Sequence, residues 1–456
     1  MTLESLEDVL RPRNVALLSA IGLATAITSL LLSHPEGAVF HRIVEMAAWL
    51  RGAAAKPEVV TWPAWGYAWL VAWGPKSGLI IVLQACVGAL VLAALAIRLG
   101  LAMPRQARTI AILCVLAVPW HDMQLTLYPS GLAGSLVVAA LVILDAAMGK
   151  NDLKAAVIAG VFTGLAQNLR TEFVLVPVFI GICSLVLKRR RVIAPASMKP
   201  MWAFILTAFA MQLPWALFYH AETGRFSLTE SNFGHVMYVS LGSSANNPWG
   251  IVGDDEGAMK AVHDEGYSFS SLSEPGNQVL RRLVWTKVKQ HPYGVVLRTL
   301  QQLRNTIVAP FNWGEPKLDQ SSARDLDLLR QELKARLGVG VNVAKLSNYR
   351  DENLRAKASE NTAAALAMLY QVAAVGFGSL VFLLGIVGIV LVLVRAETMH
   401  APLLLWFLAS AAMYKVIQDV LLAYQVNYLN NVYPMFLPFA AVSLSAIHER
   451  LRRAGG

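Results

Sequence analysis

Long apolar runs separated by short basic turns form the main pattern of the chain. A helical run of about 20 residues can cross a hydrocarbon core of about 30 Å. We therefore predict an all-α polytopic membrane protein with about ten transmembrane helices. The predicted runs cover residues 15–33, 78–97, 107–120, 131–148, 155–169, 172–187, 201–218, 368–394, 401–418 and 431–447.

The composition agrees with a lipid environment. Of 456 residues, 56% are hydrophobic and 15% are charged, whereas soluble domains average about 25% charged residues. A water-soluble fold has too little interior for this much apolar surface. Arg11 and Arg13 precede the first run, and no small-residue cleavage site follows it closely. We therefore expect residues 15–33 to be a retained span rather than a removed signal peptide.

The basic residues predict the orientation. With the N-terminus in the cytoplasm, nearly every basic turn falls on the cytoplasmic side, as the positive-inside rule requires. These turns contain Arg98, Arg105, Arg108, Lys150, Lys154, Lys188 to Arg191, Arg395, Arg450, Arg452 and Arg453.

Two long segments, 34–77 and 219–367, then lie outside and are predicted to roof an outer-side cavity. This divides the chain into an N-terminal membrane core (1–218), an extracytoplasmic mixed region (219–367) and C-terminal membrane helices (368–456).

The formal charge of +10 at first suggests nucleic acid as a partner. Its distribution argues against that partner, because the cations cluster in turns between spans. Within the outer region, Asn277 to Val308 has the pattern of a basic amphipathic helix. Such a helix lies on anionic lipid or covers a soluble core with a solvated basic face. The sequence favours the lipid interface and leaves the second interpretation open.

Candidate chemistry collects in the outer loops. Glu36, Glu45 and Asp122 bring carboxylates there, and a carboxylate at the membrane edge can act as a general base. Arg170 brings a cation that can hold a phosphate. Trp65 and Tyr67 belong to an aromatic segment that packs against a sugar or anchors the chain at the interface. This combination fits group transfer from a lipid-phosphate donor.

Three motifs in combination resemble those of GT-C type integral-membrane glycosyltransferases. This group includes protein O-mannosyltransferases, the aminoarabinose transferase of lipid A and rhizobial lipopolysaccharide transferases. An early outer acid precedes a Pro-x-x-Gly-Tyr type segment from Pro63 to Tyr67. A Gly-Leu-x-x-x-x-Arg-x-Glu turn ends in Arg170 and Glu172. Tyr428 stands before the late Pro434 and Pro438.

The resemblance implies sugar transfer, with inversion, from a polyprenyl-phosphate donor to a hydroxyl of a cell-envelope glycan, lipid or protein. It implies a bacterial inner membrane with the active side outside, and no cofactor or metal. Glu36 is the implied base, although the family more often has Asp there. Glu45 is its competitor, and Asp122 is a second acid. The implied substrate-binding residues are Arg170, Arg42, Trp65, Tyr67, Arg225, His235 and Tyr428.

Two other functions fit the same pattern. An O-antigen ligase or polymerase shares the long outer loops but uses a lipid diphosphate. A polytopic lipid or solute transporter is expected to carry charges at mid-span in both halves of the chain. Apart from Asp145, the spans are interpreted as largely free of such charges, which favours the transferase.

Overall fold

The computed structural model describes most of the chain. It covers residues 12–33, 38–62, 65–74, 77–125, 128–190, 198–243, 247–308, 310, 315–316, 321–322, 324–329, 361–394, 402–422 and 426–454. The predicted base Glu36 lies outside these ranges.

The described part is helical apart from two paired strands of two residues each. The helices are α1 Pro12–Leu31, α2 Ala38–Leu50, α3 Trp65–Trp73, α4 Ser77–Ala102, α5 Ala107–Val115, α6 Val118–Gln124, α7 Pro129–Lys150, α8 Leu153–Leu169, α9 Val176–Arg189, α10 Met198–Ala210, α11 Leu213–Thr223, α12 Phe233–Gly242, α13 Asp255–Asp264, α14 Glu274–Gln290, α15 Pro292–Val308, α16 Thr362–Val394, α17 Leu403–Leu422 and α18 Leu437–Ala454. The strands are β1 Leu32–Ser33 and β2 Glu315–Pro316, and they pair antiparallel.

Six helical stretches among the described residues are long and apolar enough to cross a membrane. They are Leu79–Ala102, Pro129–Lys150, Thr171–Arg189, Met198–Thr223, Thr362–Val394 and Leu403–Leu421. The all-helical multi-pass membrane class is therefore supported, whereas the expected ten spans are not confirmed.

The remaining predicted runs form shorter structures. The apolar parts of α1 and α8 are too short to meet the length of a full span. The run 107–120 is broken between α5 and α6. The run 431–447 is divided between a 3₁₀ segment, Val426–Met435, and α18. Apolar length alone does not distinguish a full span from a shorter apolar helix.

A tight turn fixes the direction of the two most closely packed helices. Asn151 adopts the left-handed conformation and ends α7, as is common at helix C-termini. The Asp152 side chain accepts hydrogen bonds from the backbone N–H groups of Lys154 and Ala155 and so caps α8. The helices therefore run antiparallel, with Tyr128 and Arg170 at one end of the bundle and Lys150 at the other. We call these the Tyr128 end and the Lys150 end.

An ion pair lies towards the Lys150 end. Arg98 of α4 contacts Asp145 of α7, with Nη2 2.7 Å from Oδ2. Asp145 was the one intramembrane charge anticipated from the sequence. Its pairing leaves no uncompensated charge between these two helices, which is how charges inside membrane helices are tolerated.

A separate helical unit follows the fourth long helical stretch. Helices α12, α13 and α14 pack around a small apolar core that includes Tyr238, Val239, Trp249, Leu280 and Val284. We call this the outer unit. The predicted helix from 277 to 308 is interrupted at His291, so α14 and α15 are separate helices. The apolar face of α14 covers the outer unit's core, which supports the soluble-core interpretation for this half of the segment.

Candidate functional site

The strongest candidate site is a group of buried polar side chains around Glu172. The short 3₁₀ turn Thr171–Phe173 places Glu172 just after α8. Arg170 contacts it with Nη2 3.2 Å from Oε2, and Lys415 of α17 contacts the same oxygen at 3.2 Å. Asn431 of the late 3₁₀ segment donates to Oε1. We call Arg170, Glu172, Lys415 and Asn431 the Glu172 cluster.

Neighbouring side chains hold the cluster in place. Arg170 Nη1 donates to the Tyr128 hydroxyl at 2.8 Å, and its guanidinium also lies over the Tyr128 ring. The Tyr414 hydroxyl donates to the Glu172 backbone carbonyl at 2.6 Å. Lys415 Nζ also donates to Gln418 Oε1 at 2.8 Å. These bonds tie α7, α9 and α17 together at the Tyr128 end.

The burial of the cluster makes its charges significant. The exposed fraction of the side chain is 1% for Lys415 and 9% for Glu172. Two cations here contact one carboxylate. Charges are costly to bury, and charges within membrane helices are functional candidates for that reason.

A second polar group continues from Lys415 along α17. Asp419 lies one turn further on and is also buried. Thr306 of α15 donates to its Oδ2 at 2.7 Å. Arg298, also on α15, donates to the backbone carbonyls of Val420 at 3.0 Å and Leu421 at 2.6 Å. Arg298 additionally contacts Ser240 of the outer unit, so this group joins the outer unit to the membrane core.

The expectation that the spans carry little mid-depth charge is therefore wrong for α17. Lys415 and Asp419 both lie within the candidate span Leu403–Leu421. Their spacing of four residues places them on one helix face, which was a usable signal in the sequence. Asp419 lies one residue beyond the predicted run 401–418, and Lys415 lies inside this run among apolar residues.

Asp122 lies at the same end of the bundle as Arg170. It is buried on α6 and is close enough to Tyr370 of α16 for an electrostatic interaction. The late 3₁₀ segment packs against α6 and supplies Asn431 to Glu172. The predicted pair Asp122 and Arg170 therefore flank one common segment. His121, next to Asp122, has Nδ1 2.8 Å from the Thr25 hydroxyl of α1.

The end of the first outer loop packs directly on the segment that leads to Arg170. Trp65 donates from Nε1 to Asn168 Oδ1 at 3.0 Å and stacks on Phe218. A Cβ on Gly66 would lie 2.6 Å from the Asn168 carbonyl oxygen, so only glycine permits this approach. Trp65 thus acts in packing. Tyr67, predicted to bind substrate, is buried in the core and its hydroxyl donates to Gln84 Oε1 at 3.3 Å.

Arg42 and His235 both interact with Asp255, which is not among the predicted site residues. His235 Nε2 lies 2.9 Å from Asp255 Oδ1, and Nδ1 lies 3.2 Å from the Ser271 hydroxyl. The hydrogen bond from His235 lowers the pKa of Asp255, and the charge of Arg42 acts in the same direction. Arg42 also lies over the Trp62 ring. Both nitrogens of His235 are therefore engaged within the outer unit.

The other predicted residues are spread over several elements. Arg225 is exposed and pairs with Glu274 at 3.6 Å. Glu45 is exposed on α2. Tyr428 belongs to the late 3₁₀ segment, but its side chain lies outside the described residues. Asp254 caps α13 by accepting from the Gly257 N–H at 2.7 Å, and Asp255 binds His235, so local structure accounts for this acidic pair.

The fold and the buried charges define a helical multi-pass membrane protein with a polar cluster at one end of the bundle. Comparisons with protein-family models, curated proteins and solved structures found no match to this chain. Its function must therefore be inferred from its own residues.

Proposed function

We propose that the protein is an integral-membrane glycosyltransferase. It transfers a sugar, with inversion, from a polyprenyl-phosphate donor to a hydroxyl of a cell-envelope glycan, lipid or protein. The reaction takes place on the extracytoplasmic side of a bacterial inner membrane, at the Tyr128 end of the bundle. The observation that carries the proposal is the meeting of two cations, Arg170 and Lys415, on the buried carboxylate of Glu172.

Two basic side chains that meet at one point favour an anionic substrate group near Lys415 and Arg170. Both contact Glu172 Oε2 at 3.2 Å. A phosphate placed against these two cations would interact strongly with them in a medium of low dielectric constant. Charge-assisted hydrogen bonds from Arg and Lys are also the strongest that proteins make to phosphate.

The surroundings suit a donor that carries a long lipid chain. Helices α15 and α16 turn apolar side chains outward next to α17, including Leu300, Leu303 and Leu380. An isoprenoid chain can lie along such a surface while its phosphate reaches the Glu172 cluster. A soluble nucleotide-sugar would gain nothing from this arrangement.

The proposed reaction is a single displacement. Glu36 accepts the proton of the acceptor hydroxyl, with Glu45 as the competing base. The hydroxyl oxygen forms a bond to the anomeric carbon as the bond from that carbon to the phosphate oxygen breaks. The polyprenyl phosphate leaves with the electron pair, and Arg170 and Lys415 stabilise its negative charge. Asp122 orients the acceptor or the base.

The test is a transfer assay in nanodiscs with polyprenyl-phosphate donors carrying hexose, pentose and amino-sugar groups. We expect product from at least one donor. Glu36→Gln should lower turnover by at least 100-fold, which is within the range for loss of a general base. Glu256→Gln, an exposed carboxylate on α13, is the matched control. Normal turnover of Glu36→Gln, Glu45→Gln and Asp122→Asn would refute the assignment of the base.

A transporter of lipid or anionic solute is the second candidate, and Lys415 and Asp419 favour it. A buried cation and carboxylate one turn apart within a span are typical of an ion or substrate pathway. Flux of labelled lipid phosphate across proteoliposomes without a transfer product would support the transporter. Product from lipid-diphosphate glycans alone would instead support the ligase or polymerase alternative.

A further inference from the structure

Helix α15 buries its polar face and exposes its apolar face, which is the opposite of what is expected for a helix in water. Its buried positions are spaced by four residues and mostly polar: Gly294, Arg298, Gln302 and Thr306. Its exposed positions are apolar except for one arginine: Tyr293, Val296, Leu297, Leu300, Leu303, Arg304, Ile307 and Val308. A helix that buries its polar face and exposes its apolar face has lipid, not water, on its outer side.

The contacts of α15 place it beside the membrane-spanning helices. Its polar face binds the end of α17 through Arg298 and Thr306. At the last residue of α15, the Ser379 hydroxyl of α16 donates to the Val308 carbonyl at 2.7 Å. Helix α15 therefore packs beside two candidate spans, α16 and α17, with its apolar face turned away from the protein.

Helix α14 has a different exposed face. Arg281, Trp285 and Lys289 are all exposed and lie at successive intervals of four residues, so they share one side of the helix. Arg282, beside them, is already paired with Glu265 at 2.9 Å. Trp285 is 62% exposed, and Tyr293 at the start of α15 is 71% exposed. Trp and Tyr with flanking cations are enriched where proteins meet lipid headgroups.

We propose that α14 and α15 together form a binding surface for acidic phospholipids. Arg281 and Lys289 contact the phosphates, Trp285 and Tyr293 lie among the headgroups, and the apolar face of α15 contacts the acyl chains. Acidic phospholipids are the expected ligand, because their negative charge complements the cations on both sides of Trp285 on the exposed face of α14. The surface is independent of the proposed sugar transfer.

The experiment measures quenching of tryptophan fluorescence by brominated lipids in the full-length protein. The difference between wild type and Trp285→Phe isolates the signal of Trp285. Nanodiscs contain either brominated phosphatidylglycerol or brominated phosphatidylcholine at equal fractions. We expect the Trp285 signal to be quenched at least twofold more strongly by the acidic lipid, with the preference falling at high salt.

A charge-matched pair of variants tests the role of the cations. In Arg281→Gln/Lys289→Gln, the preference for the acidic lipid should disappear. The control Arg51→Gln/Lys260→Gln removes two exposed cations elsewhere and should retain it. Equal quenching by both lipids in wild type would overturn the acidic-lipid assignment. Quenching of Trp285 by aqueous iodide, but not by either lipid, would overturn the membrane contact altogether.

Discussion

The ammonium nitrogen of Lys415 lies 3.2 Å from Oε2 of Glu172, and both side chains are almost completely buried. One residue comes from a span near the end of the chain and the other from a turn in its first half. Their contact brings together two parts of the membrane core, and the charge of Glu172 strengthens it. The stability of the bundle should therefore depend strongly on this carboxylate.

Glu172→Gln should destabilise the protein by about 3–5 kcal/mol, because it leaves Arg170 and Lys415 buried without their counter-charge. Thermal unfolding in detergent measures the effect. Glu222→Gln is the matched control, since Glu222 pairs with the exposed Lys56. Surface pairs contribute about 0–1 kcal/mol. Equal effects of the two substitutions would contradict the importance of the buried cluster.

Thr306→Val should cost about 1–3 kcal/mol, because it removes the hydroxyl that donates to the buried Asp419 carboxylate. Thr286→Val, on the exposed face of α14, is the control and should change stability little. A double-mutant cycle with Asp419→Asn isolates the pair. Additive effects in this cycle would show that the two side chains do not interact.

Gly66→Ala should destabilise the contact between the first outer loop and α8 by about 1–3 kcal/mol, because a Cβ there overlaps the Asn168 carbonyl. Gly22→Ala, in α1, meets no atom within 4 Å and should be neutral or slightly stabilising. Hydrogen exchange at residues 65–73 reports the local effect. Unchanged exchange in Gly66→Ala would argue against the close approach.

The Asp255–His235 contact predicts a pH dependence at acidic pH. The pKa of Asp255 is lowered in the folded protein, so the ionised form stabilises the fold. This stabilisation is complete above the ordinary carboxyl pKa of about 3.9 and is lost as pH falls through the lower folded value. Hydrogen exchange of α13 between about pH 2 and 5 measures it. In Asp255→Asn, this part of the pH dependence should be absent.

The sequence was most informative where a property is local. Apolar length predicted the membrane class, and the Arg170–Glu172 turn was selected as a site from adjacent residues. The spacing of Lys415 and Asp419 was visible in the sequence, but the pairing of Lys415 with Glu172 was not, because a contact between distant segments leaves no mark in either one. The sequence of α15 shows one polar face and one apolar face, but it does not show which of the two is buried. The packing of α15 against α17 shows that the polar face is buried.

The predicted count of ten spans is not confirmed, for a related reason. The run 107–120 is as apolar as a membrane helix, but it breaks between Val115 and Val118. The second half then turns inward and carries Asp122 to the Tyr128 end. Apolar composition indicates that a segment is more stable out of water. It does not distinguish contact with lipid from burial inside the protein.

The inverted faces of α15 bear on how this protein can be divided. A fragment that ended after α15 would separate this helix from its neighbours in the membrane core and from the acyl chains proposed to surround it. Leu300 and Ile307 would meet water, and Arg298 would lose the carbonyls of α17. A fragment that ended before α15 would instead lose the contact between Arg298 and Ser240 of the outer unit, so neither cut preserves all the contacts of α15.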